Sequence, residues 1–163
     1  MVAGATDEGI CLLEFNDRRK LPSEYKDLIK FLDTTIEDGD NDHLRMLKKQ
    51  LREYFEGKRK EFTIPVVTPG TDFQKAAWKE LQNIPFGTTM SYLELAVALD
   101  KPDSVRAVAN ANGMNRISIV IPCHRVIGSD GRLTGYGGGL VRKKWLLDHE
   151  KKYSGKAIDL SLF

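Results

Sequence analysis

The stretch on which the interpretation of this chain depends is ISIVIPCHRVI, residues 117–127. Its first half is a β-branched run that ends at Pro122, and this pattern predicts a buried strand over residues 117–121. Because proline lacks the N–H that a strand ladder needs, Cys123 is expected just past the strand end, facing a cleft. A thiol reacts as the thiolate, and the histidine and arginine that follow it offer a base and a positive charge favouring the anion.

Two other interpretations of Cys123 stay open at this point. Cysteine is among the most buried residue types, and at the end of an apolar strand it is more often inert packing than a nucleophile. The second alternative is a zinc site. The chain has two cysteines and three histidines, without Cys-x-x-Cys or His-x-x-x-His spacing. A closed four-ligand site is therefore hard to assemble, and no metal is expected.

Motifs on both sides of Cys123 extend the pattern. They are Phe73-Gln74, Trp78, Leu81, Ile84-Pro85-Phe86-Gly87-Thr88, Ser91-Tyr92, Leu95-Ala96, Arg106-Ala107-Val108, Asn115, Gly135 to Leu140 and Trp145 to Glu150. Together with residues 121–127, they resemble the O6-alkylguanine-DNA alkyltransferases, also called methylated-DNA–protein-cysteine methyltransferases. The similarity covers residues 70–151. It implies an α/β, ribonuclease H-like N-terminal domain over residues 1–66 and a mostly α winged helix-turn-helix domain over 67–163.

The resemblance implies an irreversible transfer of the alkyl group from O6-alkylguanine in DNA to the protein's own cysteine. Cys123 would be the nucleophile, His124 would take its proton through a water, and Glu150 would orient His124. Tyr92 would help rotate the nucleotide out of the stack and supply a proton or hydrogen bond to the leaving guanine. Asn115 would hold the helix-turn-helix against the active-site segment. No cofactor is needed, and the protein should act once.

The resemblance also implies a set of DNA- and base-binding residues. Arg106 and Ala107 would lie in the minor groove, where Arg106 fills the gap left by the rotated nucleotide. Tyr136 and Gly137 would line the alkyl pocket, and Arg125 belongs to the same set. The family often has serine at the position of Gly137, so the hydrogen bond of that hydroxyl to guanine O6 is not available here. A backbone N–H is the expected substitute.

Charge is distributed unevenly along the chain. Residues 1–70 carry 12 basic and 14 acidic side chains, whereas residues 71–163 carry 13 and 9. Between Ser104 and Lys144, Asp130 is the only acid, and the bases are Arg106, Arg116, Arg125, Arg132, Arg142, Lys143 and Lys144. This pattern predicts positive charge around the cysteine and a polyanion such as DNA as the partner, with a solvated basic face as the alternative.

The N-terminal half predicts a small α/β scaffold without chemistry of its own. Val2 to Ala5 and Ile10 to Phe15 flank a turn and predict a hairpin. Ser23 is predicted to cap a first helix, and Gly57 to end a second. The predicted buried faces are Tyr25, Leu28, Ile29 and Leu32 in the first helix and Leu44, Leu47, Leu51, Tyr54 and Phe55 in the second.

The C-terminal half begins with an extended connector, residues 66–70. Capping boxes at residues 71–74 and 91–94 predict two helices, and Asp103 or Ser104 should cap a third, so that the last two form a helix-turn-helix. A final helix over residues 140–150 should bury Trp145 and carry Glu150 beyond its end. The tail from Ile158 to Phe163 is apolar enough to dock on another surface.

Composition fits a soluble, cytoplasmic protein with no membrane association. Of the 163 residues, 41% are hydrophobic, which is enough for a folded core. No 18-residue apolar run occurs, and residues 1–20 carry acids and lack the basic-then-apolar order of a signal peptide, so no signal peptide is expected. Cys11 and Cys123 lie in different halves, which argues against a disulfide framework. The expected partner is duplex DNA containing O6-alkylguanine, bound by a monomer, with cooperative assembly on DNA as the alternative.

Two other classes of function stay open. An alkyltransferase-like protein binds the same lesion without repairing it, but that group usually has tryptophan at the acceptor position, so Cys123 argues against it. A winged-helix transcription regulator with a structural cysteine would instead bind the major groove sequence-specifically.

Overall fold

The computed structural model of the protein describes residues 1–155. The apolar tail from Ile158 to Phe163 lies outside this range. The described chain forms strands β1 (Val2–Ala5), β2 (Ile10–Glu14), β3 (Met90–Ser91) and β4 (Val126–Ile127), and helices α1 (Leu21–Leu32), α2 (Asp42–Phe55), α3 (Asp72–Leu81), α4 (Tyr92–Ala98), α5 (Val105–Gly113) and α6 (Leu140–Tyr153). Short 3-10 turns occupy Pro102–Ser104 and Cys123–Arg125. Within residues 1–155, no helix is long and apolar enough to cross a membrane.

Strand β2 is the common support of the two halves. It pairs with β1 as an antiparallel hairpin, which confirms the predicted hairpin. Its other edge is covered by backbone from two later segments: Ile10 bonds to the backbone around Val66, and Leu13 to the backbone around Ile117. Every residue of β2 is therefore buried. The first residues of the predicted connector at 66–70 pair with the free edge of β2, because that edge offers them unpaired backbone groups.

Helix α1 begins earlier than predicted. Lys20 is its N-cap, Pro22 occupies the first turn, and the hydroxyl of Ser23 donates back to the carbonyl of Lys20 at 2.7 Å. The prediction that Ser23 caps the helix is wrong, because a proline fits the first helical turn and lets the helix start before it. Ile29 is also 42% exposed instead of buried, and Leu28 packs against β2.

Helix α2 carries a buried tyrosine toward the C-terminal half. The side chain of Asn41 caps it by accepting from Leu44 N at 2.9 Å, and the helix ends at Phe55, two residues before Gly57. Tyr54 is completely buried, whereas Phe55, predicted to be core, is 40% exposed. Buried tyrosine hydroxyls usually find a hydrogen-bond partner, and here that partner belongs to α6.

The helix-turn-helix is formed by α4 and α5. Both predicted capping boxes are confirmed: Thr71 with Gln74 opens α3, and Ser91 with Glu94 opens α4. Neither Asp103 nor Ser104 caps α5 through its side chain, because the 3-10 turn runs directly into the helix. That part of the prediction is wrong.

The stretch at residues 117–121 is buried but is not a regular strand. Ile119 has a φ of 74°, and Val120 N donates to Ser118 O at 2.9 Å, which describes a strained γ-turn. Asn115 supports this bend, because its amide accepts from Ile117 N and donates to Ile121 O. Side-chain bonds to backbone compete here with strand pairing, so the strand prediction is wrong.

Helix α6 differs from the prediction in length and in the face that it buries. It continues to Tyr153, so Glu150 lies inside the helix and not beyond its end. Trp145 is 52% exposed, against the prediction that it is buried, while Leu146 and Glu150 face the interior. The buried face of α6 is therefore partly ionic, which an apolar periodicity does not reveal.

Candidate active site

Cys123 lies at the start of the 3-10 turn that follows Pro122. Pro122 has φ −83° and ψ 57°, and Cys123 N donates to Ile121 O at 2.8 Å, which is an inverse γ-turn. The thiol residue is only 4% exposed and belongs to the main apolar core. The prediction that it faces a cleft is therefore wrong for this structure. Burial raises the pKa of the Cys123 thiol to about 11.

His124 is held by Glu150 behind the cysteine. Its Nε2 lies 2.7 Å from Glu150 Oε1, and both residues are completely buried. Burial lowers the pKa of His124 even though the hydrogen bond to Glu150 opposes the shift. A neutral imidazole must then donate from Nε2, which leaves the lone pair on Nδ1. Nδ1 is buried and has no hydrogen-bond partner among residues 1–155.

Glu150 is the centre of a buried hydrogen-bond network. Its Oε1 accepts from Tyr54 at 2.9 Å and from Arg125 Nη2 at 3.0 Å, and its Oε2 accepts from Arg125 Nε at 2.9 Å and Gly87 N at 3.0 Å. Burial by itself raises the pKa of Glu150, but hydrogen bonds from His124 and Arg125 outweigh it and hold this pKa well below its usual range. Glu150 is therefore a carboxylate at neutral pH.

Arg125 supports this network instead of lying on a DNA-facing surface. It is 6% exposed, and besides Glu150 it donates to Ile84 O at 2.6 Å. Its assignment to the DNA- or base-binding set is corrected accordingly. A fixed guanidinium beside a buried carboxylate is the partner that allows the carboxylate to stay charged.

Tyr54 is a site residue that the sequence did not reveal. It comes from α2, in the half for which no chemistry was predicted, and burial together with the Glu150 charge raises its pKa far above the usual value. Its phenol is therefore always a donor to Glu150. A tyrosine within the apolar stripe of α2 was the available signal, because a buried phenol needs a partner.

Asn115 connects the active-site bend to the thiol. Its Oδ1 accepts from Ile117 N at 3.0 Å, and its Nδ2 lies 2.9 Å from Ile121 O and 3.1 Å from Cys123 Sγ. The contact with sulfur is a donation toward the atom that would become a thiolate. It lowers the pKa of Cys123 in part, against the larger effect of burial.

Tyr92 and Lys143 lie on the side of the glycine-rich loop. The phenol of Tyr92 is 3.2 Å from both Thr134 O and Gly135 O, and burial raises its pKa. Lys143 is completely buried, donates to Val126 O and Thr134 O, and has its pKa lowered to about 8 by burial. Lys143 therefore holds this loop and does not contribute to an exposed basic surface.

Tyr136 closes the site from above the imidazole. Its ring meets His124 edge-on at 6.5 Å between centroids and Phe15 at 6.3 Å. Its hydroxyl is buried and has no hydrogen-bond partner in the described part of the chain. Gly137, the next residue, is exposed.

Most of the seven predicted bases are either buried or paired with an acid. Arg116, Arg125 and Lys143 are buried, and Arg132, Arg142 and Lys144 each pair with an aspartate. Arg106 is exposed and takes part in none of the ion pairs formed within residues 1–155, and Ala107 beside it is also exposed. The exposed face of α5 thus presents one cation among small side chains.

The described residues contain no cluster of side chains that could ligate a metal ion. Within residues 1–155, no group of three or more His, Cys, Asp or Glu side chains is placed to hold a metal ion.

Comparison with known proteins assigns both halves of the chain. The ribonuclease-like domain of 6-O-methylguanine DNA methyltransferase matches residues 2–68, and its DNA-binding domain matches residues 72–152. These two matches confirm the fold class expected from the sequence.

Individual relatives carry the same name. The inducible methylated-DNA–protein-cysteine methyltransferase of Bacillus subtilis is 50% identical over 117 residues, which are 72% of this chain and 65% of that protein. The Methanosarcina barkeri enzyme is 52% identical over 107 residues, 66% of this chain and 68% of its own length. A Mycobacterium tuberculosis OGT, solved in complex with DNA, superposes with a TM-score of 0.78 at 38% identity, covering 93% of this chain and 86% of that one. Domain matches, identity and fold agree, and the chain belongs to the 6-O-methylguanine DNA methyltransferase family.

Proposed function

We propose that this chain repairs O6-alkylguanine in DNA by transferring the alkyl group to Cys123. The observation that carries the proposal is the neutral imidazole of His124, held by Glu150 and placed next to the thiol in the chain, with an unpaired Nδ1. A buried thiol with a pKa of about 11 is ionised in only about one molecule in ten thousand at pH 7. The site therefore needs a base, and it contains one.

The chemical step is a displacement at carbon. His124 Nδ1 takes the thiol proton through a water, and the thiolate attacks the alkyl carbon of the extruded base. The S–C bond forms as the C–O6 bond breaks, and guanine leaves as an anion delocalised over N1 and O6. Tyr92 supplies the hydrogen bond or proton that this anion needs, in exchange for its contact with the loop carbonyls.

The surroundings of the sulfur favour its anion once the proton has left. Asn115 donates to Sγ, and the charges of Arg18 and Lys143 both lower the Cys123 pKa against the effect of burial. The product is a thioether, which these side chains cannot cleave. The protein is therefore consumed after one transfer.

DNA is bound through α5 in the minor groove by a single copy of the chain. The exposed Arg106 fills the space that the rotated nucleotide leaves, and Ala107 permits a close approach to the sugar-phosphate backbone. Tyr136 and Gly137 lie against the base. The chain divides into two domains, residues 1–66 and 67–163. Since Cys123 is buried, the residues that cover it must shift before a base can reach the sulfur.

The test is a mass measurement on the intact protein. After incubation with a duplex containing one O6-methylguanine, the peptide that contains Cys123 should gain the mass of one methylene in stoichiometric amount. The peptide with Cys11, a second buried cysteine without a histidine–carboxylate pair, is the internal control and should not change. Tight binding to the modified duplex without a mass gain would contradict the proposal and favour a lesion-binding protein.

The role of Arg106 is tested by comparing two substrates. Arg106→Ala should slow repair in duplex DNA at least about tenfold more than it slows reaction with free O6-benzylguanine, because only the duplex requires unstacking. Arg52→Ala, an exposed arginine on α2, is the matched control and should leave both rates unchanged. Equal slowing of both reactions by Arg106→Ala would remove the proposed role.

A further inference from the structure

A buried ionic cluster from the N-terminal half reaches the glycine-rich loop. Arg18 Nη1 pairs with Glu14, and its Nη2 lies 2.7 Å from Glu24 Oε1 and 3.0 Å from Gly113 O at the end of α5. Ser118, in the bend before Cys123, donates its hydroxyl to Glu14. Arg18 is the most exposed of these four side chains, at 6%. One guanidinium therefore connects β2, α1, α5 and the active-site bend.

The same guanidinium occupies the place of a side chain at position 137. A Cβ added to Gly137 would lie 1.9 Å from Arg18 Nη1 and 2.6 Å from its Cζ. Gly137 does not have a positive φ, so its backbone conformation suits any residue. The obstacle to a larger residue at Gly137 is therefore Arg18 itself, which its two carboxylate partners hold in place.

The neighbours of Arg18 contact the same loop and the helix that follows it. Phe15 lies against Gly138, where an added Cβ would come within 2.5 Å of its ring, and it meets Tyr136 edge-on. Asp17 forms a bidentate ion pair with Arg142 of α6, with both distances 2.9 Å. Residues 15–18 thus contact the loop over three consecutive positions and clamp it beside the thiol.

Stability alone does not account for this cluster. It places two carboxylates and one guanidinium in the interior, and burial raises the pKa of Glu14 to about 7 although Arg18 and Ser118 oppose the shift. Well-packed apolar side chains are often as stable as such ionic groups, or more so. The Nε of Arg18 and the Oε2 of Glu24 are also buried and form no hydrogen bond within residues 1–155.

We propose that Arg18 is a positioning residue for alkyl transfer, whose guanidinium replaces a side chain at Gly137 and fixes the loop of Tyr136 and Gly137 over Cys123. The inference rests on the proposed function, because it assigns a role within the same reaction. It predicts that positions 18 and 137 are coupled. A side chain at position 137 should slow alkyl transfer only while Arg18 occupies the space that this side chain needs.

The experiment compares Gly137→Ser in two backgrounds. One is the wild type, and the other is Arg18→Met with Glu14→Gln, which removes the guanidinium together with the charge of one of its two carboxylate partners. In the wild type, Gly137→Ser should reduce the limiting rate of methyl transfer at saturating duplex about tenfold or more, with little change in duplex affinity. In the Arg18→Met, Glu14→Gln background, which is itself slower than wild type, the same serine should cause no further loss.

Controls separate positioning from stability. Gly39→Ser, at an exposed glycine where a Cβ meets nothing within 4 Å, should transfer at the wild-type rate. Thermal unfolding shows which variants are folded. If the double variant does not fold, Arg18→Lys takes its place, because it too should remove the slowing of transfer caused by Gly137→Ser.

The contrary outcomes are distinct. Equal slowing by Gly137→Ser in both backgrounds, or a wild-type limiting rate in the Arg18→Met, Glu14→Gln protein, would overturn the positioning role. A wild-type protein that gains no methyl group would overturn the proposed function and, with it, this inference.

Discussion

Replacing Cys123 with alanine should abolish alkyl transfer completely while leaving the affinity for an O6-methylguanine duplex unchanged. The sulfur is the only atom proposed to form a covalent bond with the substrate, so its loss removes the acceptor itself. Binding should persist because Cys123 is 4% exposed and contributes almost no surface to a DNA interface. Mass spectrometry measures the transfer, and a fluorescence titration with the labelled duplex measures the binding.

The matched substitution for this test is Cys11→Ala. Cys11 is also buried and free, at 7% exposure, but it packs against Leu21 and Leu28 away from the His124–Glu150 pair. The Cys11→Ala protein should retain full alkyl transfer. Residual methylation of the Cys123→Ala protein would identify another acceptor and contradict the assignment of the nucleophile.

Local signals explain the part of the fold that the sequence predicted. The two capping boxes and the hairpin turn are satisfied by residues within four positions of one another, so their patterns needed no tertiary information. The bend at Ile119 could not be predicted in this way. A β-branched run favours a strand, and the Asn115 amide opposes it by accepting from Ile117 N and donating to Ile121 O.

The active site likewise has one part that the sequence predicted and another that depends on the tertiary structure. His124 follows Cys123 directly, so a nucleophile with an adjacent base was readable from the sequence. The partners of Glu150 other than His124 were not, because Tyr54, for example, lies 96 residues away and carries no motif. An acidic residue near a helix end is usually solvated, and only the buried donors around Glu150 account for its charge in the interior.

Charge composition was the weakest guide. Counting bases between residues 104 and 144 predicted a positive surface, but a count cannot separate a cation that faces DNA from one that neutralises a buried carboxylate. Arg125 is of the second kind, held by Glu150, and Lys143 is a buried cation held by backbone carbonyls. The Arg106 side chain is exposed on α5 and is proposed to be of the first kind.

Replacing Glu150 with glutamine should reduce the limiting rate of alkyl transfer by about 10²–10⁴, the usual contribution of general acid–base catalysis. The amide can still accept from Tyr54, but it no longer carries the charge that holds His124 as the donor from Nε2 and stabilises the imidazolium that forms. Tyr54→Phe removes one hydrogen bond and keeps the carboxylate, so it should slow transfer about tenfold at most. Rapid-quench measurement of methylated protein at saturating duplex gives both rates.

The rate of alkyl transfer should also depend on pH in a defined direction. Transfer requires neutral His124, whose pKa is lowered by burial, so the wild-type rate should be level at neutral pH and fall as acid protonates the imidazole.

Glu150→Gln also leaves the Arg125 guanidinium buried and unpaired, which costs about 3–5 kcal/mol of stability. The double variant Glu150→Gln, Arg125→Met removes both charges and should restore stability without restoring the rate. Recovery of the wild-type rate in that folded variant would show that Glu150 serves the fold alone, and that Cys123 is activated by something other than its neighbouring imidazole.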